Sequence, residues 1–166
     1  IYSDGRHICK LCHTSIIEKE KSIIASYLSV HNQLEEIGFV KIPRDIPIIL
    51  INLFDLNKKY ATIMHGDLKG ITKIKSNNNS KYLYEIFILF GLPKIEFEAV
   101  LAHELLHVWL HENNLVLEGD LLEGFCNLGT ALIYENDNTH FSQIHLKAMR
   151  NNSDIIYGEG YRKIKT

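Results

Sequence analysis

At 166 residues the chain is long enough for one domain with a true core and too short for two large ones. Hydrophobic residues make up 46% and charged residues 23%, a globular balance that excludes intrinsic disorder. A net charge of −2 with scattered lysines excludes a strongly basic nucleic-acid surface, and no apolar run is long enough for a membrane span, so neither nucleic acid nor membrane is expected as a partner. The first residue is Ile1 rather than Met, which points to a processed form or a fragment of something longer. Nothing here carries an address; cytoplasmic is the default expectation.

Three cysteines do not make a disulfide framework. Cys9 and Cys12 form a C-x-x-C pair after Asp4-Gly5-Arg6, half of the ligand set of a structural zinc. The string from Cys9 to His13 also fits a haem-attachment pattern, but nothing else supports a haem pocket. Over residues 14–38 apolar positions such as Ile16, Ile23, Tyr27, Leu34 and Ile37 recur at helical spacing, with Gly38 as a stop. Two prolines, Pro43 and Pro47, then precede the apolar run 48–54, which reads as a buried strand.

Residues 55–70 read as polar and irregular, with His65 as a solvated loop histidine. Gly70-Ile71-Thr72-Lys73-Ile74-Lys75 alternates apolar and polar residues, as a strand wet on one face and at a sheet edge would. Asparagines 77–79 mark a loop, and residues 82–90 read as an interior strand ended by Gly91-Leu92-Pro93.

The most informative stretch follows: Leu101-Ala102-His103-Glu104-Leu105-Leu106-His107-Val108-Trp109. In a helix, His103 and His107 lie on one face, so their ring nitrogens can converge on one cation. Glu104, turned about 100° away, stays off the metal but near a water at it, as a general base requires. The apolar neighbours suit a helix buried against a sheet with a polar face on a cleft. H-E-x-x-H alone recurs by chance, so a third ligand decides.

Residues 112–119 are long enough to reverse the chain and bring a second helix, running to about Tyr134, antiparallel to the first. On it Glu123 would face the two histidines, giving the open three-ligand set of a catalytic zinc. Glu118 and Asp120 are rivals, but both fall in the turn. Asn127, one turn after Glu123, is placed to hydrogen-bond a ligand imidazole or to lie in water; Cys126 reads as a small buried hydrophobe. A last helix covers 140–150, with His145 packed or solvated, and the tail 155–162 reads as a shaped loop.

These landmarks carry a family likeness. Asp4-Gly5-Arg6 with Cys9 and Cys12, Ile46-Pro47, Phe90-Gly91-Leu92-Pro93, His103-Glu104 through His107-Val108-Trp109-Leu110, Glu123-Gly124-Phe125-Cys126 and Tyr157-Gly158-Glu159-Gly160-Tyr161-Arg162 occur in one order. In that order they resemble the C-terminal part of the LIM-domain-containing zinc peptidases of plants, which limit organ size, are activated by ubiquitination and are similar to minimal gluzincins. The resemblance implies zinc on His103, His107 and Glu123, Glu104 as base, and residues 1–13 as the remnant of a LIM-type module, with Cys9 and Cys12 on a possible second, structural zinc. It implies a gluzincin-like domain over 14–166. The upstream half of the LIM module and the ubiquitin-interacting segments are not among these residues, so a ubiquitin-linked partner rests on resemblance alone.

The expected fold is α+β and zincin-like: a short mixed sheet packed against a metal-binding helix and a glutamate helix. The expected function is a zinc endopeptidase acting on peptides or proteins. Tyr157, in a glycine-flanked loop matched by the family, is a candidate oxyanion donor, and Gly70, Ile71 and Thr72 form a candidate substrate-binding edge. The alternative is a peptidase-like module that binds or scaffolds without cutting. A third, hydrolysis of a non-peptide amide, fits the same metal site.

Overall fold

The structure is a computed structural model and describes residues 1–60, 68–76 and 82–151. In chain order the elements are α1 (Lys10–His13), α2 (Glu20–Glu36), β1 (Ile48–Ile51), α3 (Leu53–Tyr60), β2 (Gly70–Ser76), β3 (Tyr82–Leu89), α4 (Lys94–Glu112), α5 (Gly119–Asp137) and α6 (His140–Asn151). The architecture is α+β, with a three-stranded mixed sheet in the order β1-β3-β2. β1 runs parallel to β3, and β2 antiparallel to it with Thr72 opposite Ile86 and Ile74 opposite Tyr84.

The apolar run of β3 reflects its central place. Ile86 and Ile88 are fully buried, as expected of a strand covered on both faces. β2, an edge strand, is buried at Gly70 and increasingly exposed towards Ser76. α4 crosses the sheet with Phe97, Leu101, Leu105 and Leu106 fully buried, and these side chains join Ile86, Ile88, Ile133 and Leu146 in one core.

α5 lies against α4 at a spacing that Gly129 permits. A Cβ there would sit 2.7 Å from the carbonyl oxygen of Ala102, so any larger residue would push the two backbones apart. Thr130 donates to the carbonyl of Ala99 at 3.1 Å and fixes the register of the pair. Trp109, Phe39 and Phe125 pack ring on ring at the far end of this contact.

Three elements differ from expectation. The run 48–54 is not one buried strand: β1 ends at Ile51 on the sheet edge with Ile49 37% exposed, and residues 53 and 54 open α3. The polar stretch expected to be irregular from residue 55 is helical up to Tyr60 as part of α3, because the Asn52 side chain accepts from Asp55 N–H at 2.8 Å and returns a bond to the Asp55 carboxylate. That reciprocal cap, with fully buried Leu56 on the inner face, nucleates a helix where charge density suggested a loop. The segment expected to be helical from residue 14 becomes so only at Glu20; before that, Ile16 bridges Pro93 in antiparallel fashion and Ile17 donates to Leu92.

The N-terminal segment is tied to the turn that launches α4. Arg6 donates to the carbonyl of Phe90 at 2.7 Å, Tyr2 to that of Gly91 at 3.3 Å, and Lys94 N–H to Ser15. Gly91 has a positive φ of 78° and no space for a side chain against the Tyr2 ring. His65, Tyr157 and the tail 155–162 lie outside the described residues.

Candidate metal centre

The helical period of α4 places His103 and His107 one above the other, with their Nε2 atoms 3.2 Å apart. Glu123, from the first half of α5, reaches them with one carboxylate oxygen 3.2 Å from His103 Nε2 and the other 3.8 Å from His107 Nε2. Asn127, one turn along α5, sits 2.9 Å from His103 Nδ1 through its side-chain oxygen. An amide oxygen only accepts, so His103 carries a proton on Nδ1 and turns Nε2 inward. The approach of α5 that Gly129 allows is what brings the carboxylate within reach.

Three electron-rich atoms thus converge at one point, and the charges around it favour a cation there. Burial pulls the His103 pKa down, but the bond to Glu123 and the negative charges of Glu104 and Glu123 outweigh it, so the net shift is upward. Burial and the charge on His103 push His107 down to about 4. Burial would raise Glu123, yet its bond to His103 and the two histidine charges bring it below the usual carboxylate range.

Cys126 competes with Glu123 for the third place. Its sulfur and the two imidazoles offer ligand atoms that all lie within 4.8 Å of one another. Cys126, a small buried hydrophobe by its sequence setting, is fully buried and also borders the site. Burial, then the charges of Glu123 and Glu104, drives its thiol pKa far up, so with no cation present it is a neutral thiol beside an ionised carboxylate. The rivals Glu118 and Asp120 do not line the cleft.

Glu104 is 4% exposed and held apart from the convergent trio by Thr72 of β2, whose hydroxyl lies 2.7 Å from the carboxylate and 3.1 Å from the Glu104 carbonyl. Gly70, two residues earlier on the same strand, leaves the space: a Cβ there would meet Glu104 Oε1 at 2.7 Å and Val100 at 2.6 Å. Burial raises the Glu104 pKa, the direction a proton-accepting carboxylate needs in order to work near neutrality. These groups line a cleft of about 630 Å³, with β2 on one side, α4 on its floor and α5 and residues 115–117 opposite; Gly70, Ile71 and Thr72 all border it.

At Cys9 and Cys12 the geometry differs. Cys12 N–H donates to the Cys9 sulfur at 3.3 Å, and among the described residues no third histidine, cysteine or acidic side chain joins them as a metal-capable group.

No described helix is long and apolar enough to cross a membrane. Among known proteins, the chain is 24% identical to Protein DA1 of Arabidopsis thaliana, over 76% of this chain and 30% of that protein. It is 25% identical to the LIM domain-containing protein HDR3 of Oryza sativa subsp. japonica, over 81% of this chain and 33% of that protein. Protein DA1-related 1 of Arabidopsis thaliana is 24% identical over 77% of this chain. The chain therefore spans about a third of the length of these relatives. No solved structure matches. A family model described as DA1-like, Protein DA1, matches residues 57–145, just over half the chain and the part that holds both histidines, Glu104, Glu123 and Asn127. The chain belongs to the DA1-like family.

Proposed function

We propose that this domain is a zinc-dependent endopeptidase whose metal is held by His103, His107 and Glu123. The observation that carries the reading is the separation of two kinds of acid: Glu123 converges on the imidazoles, while Glu104 is buried beside them on Thr72 and free of that trio. Two imidazoles and one carboxylate suit zinc in the three-ligand form that leaves a position open. When bound, zinc supplies a Lewis acid that polarises a carbonyl and brings the pKa of water towards 7.

The chain's own groups do the rest. Glu104 takes the proton of the attacking water and delivers it to the leaving amine, which accounts for a buried carboxylate of raised pKa at this point. Thr72 keeps its carboxylate aimed into the cleft, and Asn127 keeps His103 in the tautomer that presents Nε2. β2 is an edge strand whose residues line the cleft beside Glu104, so an extended peptide can add to it as a further strand.

The test is Glu104→Gln, assayed on casein with zinc content measured in parallel. The reading expects cleavage to fall by about 10²- to 10⁴-fold with zinc retained. Undiminished cleavage removes Glu104 from the reaction, and a wild-type chain that binds casein without cutting it supports a binding module instead.

A further inference from the structure

His111 extends the series of His103 and His107 by one more helical turn, and its ring borders the same cleft beside Ile74, Leu115, Val116 and Leu117. Its Nδ1 lies 2.8 Å from the Tyr84 hydroxyl, which in turn donates to a carboxylate oxygen of Glu112. A phenol has one proton, and an ionised carboxylate only accepts. With that proton committed to Glu112, Tyr84 can only accept from His111. Nδ1 therefore carries the proton of the neutral ring, and Nε2 keeps a bare lone pair. Burial, reinforced by the bond to Glu112, drives the Tyr84 pKa upward, so the phenol keeps its proton.

Tyr84 does not line the cleft, so the Nδ1 side of the ring is the side turned away from it. The Tyr82 and His111 rings pack perpendicular to each other with centroids 4.3 Å apart, which holds the imidazole plane. Leu115 and Val116 beside it are 49% and 84% exposed, an apolar rim with an acceptor at its base. A side chain matching both has an aliphatic stem to lie on the rim and an N–H donor at its tip.

We propose that His111 is a substrate-binding residue that accepts, through Nε2, a hydrogen bond from a lysine, arginine or glutamine side chain of a peptide laid along β2. This rests on the peptidase reading. The four residues from His107 to His111 rise about 6 Å, and an extended peptide advances about 3.3 Å per residue, so the selected residue lies about two positions from the scissile bond. The strand gives the same offset: Thr72 meets Glu104, and Ile74, two residues on, is opposite Tyr84.

The experiment uses the zinc-loaded full chain, with His111→Leu and Tyr84→Phe beside it. Each is incubated with a peptide mixture from a whole-proteome digest, and cut sites are read by mass spectrometry. Long-range ¹H–¹⁵N spectra of the histidine rings report the tautomer without any turnover. Expected are an unprotonated Nε2 on His111 and enrichment of lysine, arginine or glutamine at one position about two residues from the cut. That enrichment should fall about tenfold in His111→Leu, with preferences at other positions kept, and weaken in Tyr84→Phe as the tautomer is released. A proton on Nε2, or an unchanged cut pattern in His111→Leu, overturns the proposal. A wild-type chain that cuts nothing while Nε2 is bare refutes the peptidase reading, and the substrate role falls with it.

Discussion

Cys9 with Cys12 and His103 with His107 are both pairs of metal-capable side chains at short, regular spacing, yet the fold treats them differently. Cys9 is exposed and caps a four-residue helix, its sulfur accepting from Cys12 N–H within the same turn. The histidines lie on a nineteen-residue helix whose opposite face is in the core, and a second helix brings a carboxylate to them across the cleft. Spacing brings two ligands together; what makes a site is a third group delivered by another element whose own packing fixes its position.

The sharpest way to break this contrast is zinc content. His107→Ala should lower zinc from one per chain to near none, while Cys9→Ser with Cys12→Ser should leave it at one, both read by elemental analysis. A double cysteine variant that loses its zinc, beside an unaffected His107→Ala, would reverse the comparison. Asn127→Ala comes next: without its bond to Nδ1, His103 is free to present the wrong tautomer, and zinc affinity should drop about 10- to 100-fold. Competition with a chelating dye measures this.

Gly129→Ala probes the delivery of Glu123 rather than its chemistry. The new methyl meets the Ala102 carbonyl, so we expect a loss of about 1–3 kcal/mol in urea unfolding together with weaker zinc binding, because α5 must back away. The smallest effect belongs to the N-terminal tie. Burial would raise the Asp4 carboxyl, but N–H donors of Leu53 and Arg6 and the Arg6 guanidinium outweigh it and hold its pKa below the ordinary value of 3.8. A depressed folded pKa contributes stability above the unfolded value, and that contribution disappears as pH falls through the folded one. Asp4→Asn should therefore narrow the difference in stability between pH 7 and pH 3, whereas an unchanged difference would remove Asp4 from the acid response.

Much of the candidate site was legible because helical periodicity is local. Once residues 101–109 are a helix, the common face of His103 and His107 follows, and a reversal over 112–119 leaves Glu123 as the acid on a regular element. Long-range geometry was not legible. Nothing in the sequence said that Thr72 would meet Glu104, or that Gly70 and Gly129 are small because Glu104 and Ala102 come so close. Two local signals were available and unread. Asn52 with Asp55 has capping spacing ahead of α3, and His111 repeats the interval between His103 and His107. Cys126 was correctly placed in the core, but burial and closeness to the histidines are separate facts, and only packing supplies the second.

The central claim is that His103, His107 and Glu123, rather than Cys126, hold one zinc. X-ray absorption at the zinc edge of the loaded full chain tests it most directly. The account predicts nitrogen and oxygen neighbours only, at about 2.0–2.2 Å. A sulfur neighbour at about 2.3 Å that vanishes in Cys126→Ser and persists in Glu123→Gln would contradict it.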